Sequence, residues 1–343
     1  MLRMMRQELV SILLGEVPQE VRGDVFPPSM NKSAPAYVTR TVPKQEVVGQ
    51  EAATVDGQEV VFELRGYPPD ILLIRAVLEI ENIFDRETIS LGQKLFQYSR
   101  GILNSYGGDL AFSEDYNVFV VSGYEGEPEQ FLVHAPVIAS LLKSERLELA
   151  EREVEYTLRS QIKYAKDDLA IVDWDGTILF DAEGDTEEDL ELLTLANLQL
   201  LRHRILDRQL DERLAEIGGR VDKPFGRMSL SRREIAEDLR AIVRDRTASI
   251  SELQRLERDI KMIGDWYSAR FYELARGKFK IEEWHRSIRG KLESLEDIYS
   301  IVVENFTVSA KHRAEWVQII LFFVLQVGWF VLIILEFFYF TRH

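Results

Sequence analysis

Apolar residues in the first half of the chain come in short runs separated by polar stretches. Six runs predict strands: VVFEL (60–64), ILLIRAVLEI (71–80), NVFVVSGY (117–124), LELAEREVEYTL (147–158), and the pair LAIVDW and TILF (169–180). Between them, apolar spacing at 87–103 and 129–142 is typical of helices. The pattern predicts an α+β domain at 59–182, with an open sheet covered by at least two helices.

Residues 1–58 lack this organisation. The stretch PPSMNKSAPAYVTRTVP (27–43) contains proline and small polar residues without periodicity. It predicts a flexible N-terminal arm over 1–58, with folded structure beginning near Glu59.

Strand signals stop after the acidic turn DAEGDTEED, and 183–310 is helix-forming. Thr186 and Asp189 predict the start of a helix that runs to about Ile217, where Gly218-Gly219 would end it. A second helix is predicted from Ser231 to about Arg276.

Apolar residues recur at three- and four-residue steps along this second helix and along a third helix that begins near Ile281. The predicted seam comprises Leu253, Leu256, Ile260, Ile263, Tyr267, Phe271, Ile281, Trp284, Ile288, Leu292 and Leu295. A break at Gly277-Lys278 predicts a coiled-coil hairpin, closed into a helical bundle that forms a stalk. Periodicity favours an intramolecular core over an oligomer surface, and both interpretations stay open.

The most apolar part of the sequence is EWVQIILFFVLQVGWFVLIILEFFYFTRH (315–343). Trp316 to Leu335 carry no charge, and twenty helical residues span about 30 Å, the thickness of the bilayer hydrocarbon. The alternative is a buried core helix, which seldom keeps such a run uncharged. The residues singled out in the predicted span are Trp316, Gln318, Gln326, Gly328, Trp329 and Leu335, and the basic residues before it are Lys311, His312 and Arg313.

The region 311–343 is therefore expected to be a juxtamembrane segment and a tail anchor. The first residues, MLRMMRQELVSILLGEV, have too short an apolar core for a signal peptide. The excess of Lys311 and Arg313 over Arg342 predicts a single-pass protein whose N-terminal bulk is cytoplasmic, with a very short C-terminal tail across the bilayer.

Charge and composition narrow the function. A net charge of −16 argues against general electrostatic binding of nucleic acid, and no direct sequence-specific contact with nucleic acid is predicted. The absence of cysteine removes disulfides, zinc-thiolate sites and thiol nucleophiles. The five histidines are scattered, so neither a metal site nor a cofactor is predicted.

The sharpest chemical motif is IVDWDGTILF (171–180). Its Asp173-x-Asp175-Gly-Thr pattern resembles the first motif of haloacid-dehalogenase-type phosphatases. The resemblance implies Asp173 as nucleophile, Asp175 as general acid/base, and Mg²⁺. The alternative is a β-hairpin with Asp175-Gly176 in a type I′ turn, which is favoured because everything downstream is helical.

The order of parts resembles the "required for meiotic nuclear division" family, domain-of-unknown-function family 155. The similar segments are LAIVDWDGTILF, LLTLANLQLLRHRILDRQLDERL, DWYSARFYELARGKFKIEEWHRSIRGKLESLEDIYSIVVENF and HRAEWVQIILFFVLQV, over roughly 110–330. The resemblance implies a membrane-anchored, non-catalytic homo-oligomer; mitochondrial members hold ribosomes near a membrane.

The sequence thus predicts a non-enzymatic, tail-anchored scaffold or tether. Its expected partners are the lipid bilayer, further copies of the chain, and a protein such as a ribosomal one. The competing hypothesis is the Mg²⁺-dependent phosphatase using Asp173 and Asp175.

Overall fold

A computed structural model describes residues 5–18, 24–26, 45–221 and 266–341 of the chain, together with Arg244, Thr247 and Ser251. In this part of the chain the strands form one mixed sheet, in the order β2-β3-β4-β5-β1-β6-β9-β8-β7. Only β6 and β9 pair in parallel among the described strands. The strands are β1 (Arg6–Glu16), β2 (Asp24–Phe26), β3 (Gln45–Val55), β4 (Gln58–Tyr67), β5 (Ile71–Glu79), β6 (Ser113–Ser122), β7 (Gln161–Ile162), β8 (Asp168–Val172) and β9 (Gly176–Asp181).

Helices cover both faces of the sheet. They are α1 (Glu87–Ser105), α2 (Ala135–Leu142), α3 (Glu151–Leu158), α4 (Glu187–Val221), α5 (Trp266–Lys278) and α6 (Ile281–Thr341), with short 3-10 helices at Leu110–Phe112 and Pro128–His134. Apolar residues of α1 and α2 pack on one face, and those of α4, α5 and the start of α6 pack on the other.

The central strand β1 shows why both faces are apolar. Leu9 and Leu13 join the hydrophobic cluster beneath α1, whereas Ile12 and Leu14 join the cluster beneath α4. Because alternate residues of a strand point to opposite faces, a strand covered on both sides is an almost continuous apolar run. β1 is held by antiparallel pairing with β5 and β6.

The predicted flexible arm over 1–58 is wrong for the described part of that segment. Folded structure begins at Arg6, since β1 lies at the centre of the sheet, and Gln45–Val55 forms β3. The run ELVSILLG lacks polar alternation because neither face meets water, so a pattern search based on alternation misses it. The proline-containing stretch 27–43 lies outside the described residues.

The other strands and helices predicted for the sheet domain are confirmed, except for the strand at 147–158. Strands β4, β5, β6, β8 and β9 and helices α1 and α2 coincide with the predicted runs. The predicted strand at 147–158 is wrong, because 151–158 is the helix α3. Its buried residues are Val154 and Thr157, three positions apart, which is a helical spacing.

The first of the helices after the sheet begins where the sequence predicts, but these helices end at different residues. Leu190 N–H donates to Thr186 O at 3.0 Å, so α4 begins where the capping pattern placed it. It continues through Gly218-Gly219 to Val221. A break does separate two helices, but it lies two residues after the predicted Gly277-Lys278: α5 ends at Lys278, Lys280 has φ 50°, and α6 begins at Ile281. The helix α6 is a single helix of 61 residues.

Two compact units make up the chain. The first comprises Met1–Gln209 with Ser249–Ile288, and the second comprises Leu210–Ala248 with Arg289–His343. The predicted division between a head at 59–182 and a separate stalk at 183–310 is therefore wrong, because α5 and the first residues of α6 bury their apolar side chains on the sheet. In the second unit, Lys291 Nζ lies 2.7 Å from Asp211 Oδ1.

The central position of β1 predicts a large effect of truncating its side chains. Ile12→Ala removes a fully buried side chain and should lower the free energy of unfolding by about 2–5 kcal/mol. Val61→Ala, at a position 45% exposed, is the control and should change it by less than about 0.5 kcal/mol. Urea unfolding of the detergent-solubilised chain, followed by circular dichroism, measures both. Equal effects would contradict a central β1.

Candidate functional site

The turn between β8 and β9 holds the sequence's most distinctive motif. Val172 pairs with Thr177, and Asp173 N–H donates to Gly176 O at 2.9 Å, so Trp174 and Asp175 form the turn. The predicted hairpin is confirmed. The predicted type I′ turn at Asp175-Gly176 is wrong, because neither residue has a positive φ.

Gly176 serves close packing instead. A Cβ at this position would lie 3.0 Å from the backbone oxygen of Asn117 in β6. The glycine therefore allows the close approach of the parallel strands β6 and β9.

Asp173 connects the two helical layers that sandwich the sheet. The residue is 4% exposed. Lys143, which follows α2, places Nζ 3.1 Å from Asp173 Oδ2, and Lys278, the last residue of α5, donates from Nζ to Oδ1 at 3.1 Å. One buried carboxylate thus forms ion pairs with a lysine on each side of the sheet.

Aromatic side chains also pack around the β8–β9 turn. The Tyr116 hydroxyl donates to Asp173 O at 2.9 Å and lies 2.7 Å from Thr177 Oγ1. Phe279, in the turn between α5 and α6, packs edge-to-face on Tyr116 and on Trp174, with ring centroids 5.2 Å and 6.3 Å apart. The α5–α6 turn is therefore fixed to the hairpin by both charge and shape.

Burial and neighbouring charges shift the pKa values of Asp175 and Lys143. The pKa of Asp175 is raised to about 6, chiefly by burial and also by the nearby carboxylates of Asp115 and Asp173, while Lys143 opposes the rise. Burial lowers the pKa of Lys143, but hydrogen bonds to Glu153 and Asp173 outweigh it and raise that pKa overall. Lys143 is therefore held firmly in its charged form.

The surroundings of Asp173 bear on the phosphatase hypothesis. Both oxygens of Asp173 lie in ion pairs, and no group of three or more acidic or histidine side chains in the described residues could hold a metal ion such as Mg²⁺. The raised pKa of Asp175 is the one property shared with a general acid. The arrangement matches a structural anchor better than a nucleophile, and the hypothesis stays a prediction.

A second polar cluster, which the sequence pattern does not predict, joins the sheet to α4. Arg65 in β4 donates to Glu191 Oε1 of α4 at 2.7 Å, and Gln45 in β3 donates to Oε2 of the same residue at 2.9 Å. Arg75 in β5 donates to both carboxylate oxygens of Glu187, at 3.0 and 2.6 Å. These pairs fix the start of α4 on the sheet.

This cluster has a detectable signal in the sequence. Arg65 and Arg75 interrupt two apolar strand runs at positions that face the core, and buried arginines require partners. The partner carboxylates lie more than 100 residues away, so the pairing itself could not be read from the sequence. The hydrogen bond from Arg75 lowers the pKa of Glu187, which keeps the pair charged.

The described part of the predicted seam is an intramolecular packing face. Phe271 and Ile281 are buried in the cluster between the sheet and α4, and Tyr267 and Trp284 pack at its edge. Ile288, Leu292 and Leu295 are also buried. The remaining predicted seam residues, Leu253, Leu256, Ile260 and Ile263, lie outside the described residues. A coiled coil therefore stays a prediction.

The apolar segment near the end of α6 is exposed, in contrast to the buried residues of the predicted seam. Glu315–Leu335 is long and apolar enough to cross a membrane, with a mean hydropathy of 2.6 and no residue of its apolar window buried. Trp316, Trp329 and Leu335 are 65%, 71% and 59% exposed, and Gln318, Gln326 and Gly328 are exposed too. Lys311, His312 and Arg313 belong to α6, but their side chains lie outside the described ones.

A comparison with protein families matches more than half of the chain. Residues 8–186 match the family described as "Uncharacterized protein MJ0711, N-terminal domain". The chain belongs to this family. The matched region of the MJ0711 N-terminal family begins in β1 and ends just before α4, so it comprises most of the sheet with α1, α2 and α3. This agrees with β1 being part of the folded domain.

Similarity extends beyond the family domain. The uncharacterized protein MJ0711 of Methanocaldococcus jannaschii is 26% identical over 301 residues, which cover 88% of this chain and 89% of that protein. No solved structure matches the chain. The resemblance to the "required for meiotic nuclear division" family stays a prediction.

Asp173 should matter for stability, because Asp173→Asn leaves two partly buried lysines without their shared carboxylate. The expected loss is about 3 kcal/mol in the free energy of unfolding. Asp56→Asn is the control, since it breaks an exposed pair with Lys94 and should cost less than about 1 kcal/mol. Urea unfolding compares the two. If Asp173→Asn leaves stability unchanged but abolishes a phosphatase activity of the purified chain, the catalytic hypothesis gains.

Asp175 should make stability depend on pH. Its pKa of about 6 in the folded chain exceeds the ordinary 3.8, so folding favours the protonated form. This contribution to stability is present below about pH 4 and is lost as the pH rises through about 6. Asp175→Asn removes the ionisation and should become more stable than the native chain as the pH rises from about 4 to about 7. Unfolding at several pH values tests this, and parallel pH profiles would contradict it.

Proposed function

We propose that the chain is a membrane-anchored, non-enzymatic protein that acts as a homo-oligomeric scaffold or tether. The observation that carries the proposal is the exposure of the α6 segment Glu315–Leu335. All of its 21 residues except Glu315, Gln318 and Gln326 are non-polar. None of the window that would cross a membrane is buried. A lipid bilayer is the environment in which such a surface is stable.

The size of this surface supports a membrane over water. Monomeric soluble proteins rarely expose contiguous apolar patches larger than a few hundred Å². Here Phe322, Leu325 and Phe330 are each more than 60% exposed, and so are many of their neighbours. A core helix of a soluble protein would be mostly buried.

Orientation follows from the flanking charges. Lys311 and Arg313 precede the span and Arg342 follows it, so the basic side is the side of the sheet domain. The sheet domain would lie in the cytoplasm.

A scaffold role rests on what the motif residues do. Asp173 is engaged by Lys143 and Lys278, which supports a structural function for the DxDGT sequence. The net charge of −16 favours a protein partner with a basic surface. A ribosomal protein is the partner that the sequence resemblance implies.

The anchor is tested by charge insertion. Leu325→Arg together with Gly328→Arg places two charges in the span, each costing about 2.5–3.5 kcal/mol at a helix centre. We expect the native chain to stay in the membrane pellet after alkaline carbonate extraction, and the double variant to move to the supernatant. Leu325→Ile with Gly328→Ala is the control.

A native chain that carbonate releases would refute the anchor. The tether role has its own readout: cross-linked material solubilised in mild detergent should contain a stoichiometric protein partner or a multimer of the chain. Recovery of the monomer alone would refute the scaffold and leave the anchor standing.

A further inference from the structure

The strongest unused feature is a polar side chain in the middle of the apolar segment. Gln326 lies one residue from the midpoint of Glu315–Leu335. Its carboxamide is exposed and has no hydrogen-bond partner among the described residues. An unsatisfied amide in hydrocarbon is costly, because the bilayer core offers neither water nor other partners.

We propose that two copies of the chain pair inside the bilayer through Gln326. This inference rests on the proposed membrane anchor. A carboxamide carries donors and acceptors together, so one copy can donate its NH₂ to the other's oxygen and accept in return. Copies inserted with the same topology are parallel, which places Gln326 of each at the same depth.

The other glutamine of the segment, Gln318, does not need a hydrogen-bond partner from another protein chain. Gln318 lies three residues after Glu315, at the edge of the segment, where headgroups and water can satisfy it. Of the two polar interruptions, only Gln326 lies at the depth where another protein chain is the available partner. Interhelical hydrogen bonds of this kind hold membrane helices together.

Helical geometry defines the pairing face. At 100° per residue, Ile319, Phe322 and Ile333 lie within about 40° of Gln326 around the axis. Val324 and Val331 lie on the opposite side. The proposal therefore makes one stripe of the helix a contact surface and leaves the other facing lipid.

The chain's lack of cysteine makes this directly testable. Single substitutions Ile319→Cys and Ile333→Cys probe the Gln326 face, and Val324→Cys and Val331→Cys are matched controls on the other face. After mild oxidation in native membranes, we expect disulfide-linked dimers for the first pair and few for the second. Adding Gln326→Leu to Ile319→Cys should lower the dimer fraction at least about threefold.

The outcomes separate the two proposals. Leucine is more apolar than glutamine, so Gln326→Leu should stay in the carbonate-resistant pellet, and its loss from the pellet would count against the anchor itself. If all variants remain in the membrane but both faces cross-link equally, or Gln326→Leu changes nothing, the pairing is overturned while the anchor stands. Cross-linking confined to Val324→Cys and Val331→Cys would overturn the Gln326 face.

Discussion

The ion pairs of Asp173 are the contact on which the arrangement of layers depends. A sheet covered on both faces presents no surface on which one helical layer can meet the other, so any direct connection must pass round its edge or end. The β8–β9 turn provides that end, and its buried carboxylate forms ion pairs with Lys143, next to one layer, and with Lys278 of the other. Since each lysine is partly shielded from water, the contact is stronger than a surface ion pair.

Buried charges that are matched by opposite charges also fix the start of α4 on the sheet. Arg65 and Arg75 point from the sheet into an apolar interface, and each is matched by a carboxylate of the helix. These paired charges add to the hydrophobic contact by favouring the register in which each arginine meets its carboxylate. The same requirement applies to an uncharged polar group in the apolar part of α6: the carboxamide of Gln326 needs a hydrogen-bond partner wherever water is absent.

Sequence patterns predicted most elements of the sheet domain, because β4, β5, β6 and α1 follow the periodicities of strands and helices. Alternation does not predict β1, because burial on both faces removes it. The apolar spacing of Phe271 and Ile281 predicts a coiled-coil seam, although they pack on the sheet, since an apolar helix face has the same sequence pattern whatever covers it. Of the site, the DxDGT residues were found, but Lys143 and Lys278 were not, because tertiary contacts between distant residues leave no local pattern.

The place of β1 has a consequence for how the chain acquires its structure. This strand is made before either neighbour, yet Glu8 pairs with Glu79 and Arg6 pairs with Ser122. At a synthesis rate of roughly 5–20 residues per second, an apolar strand with two open edges waits several seconds for its second partner. Such long sequence separations slow folding. The nascent chain is therefore exposed to aggregation, and a chaperone that shields β1 until β6 emerges would raise the yield of folded protein.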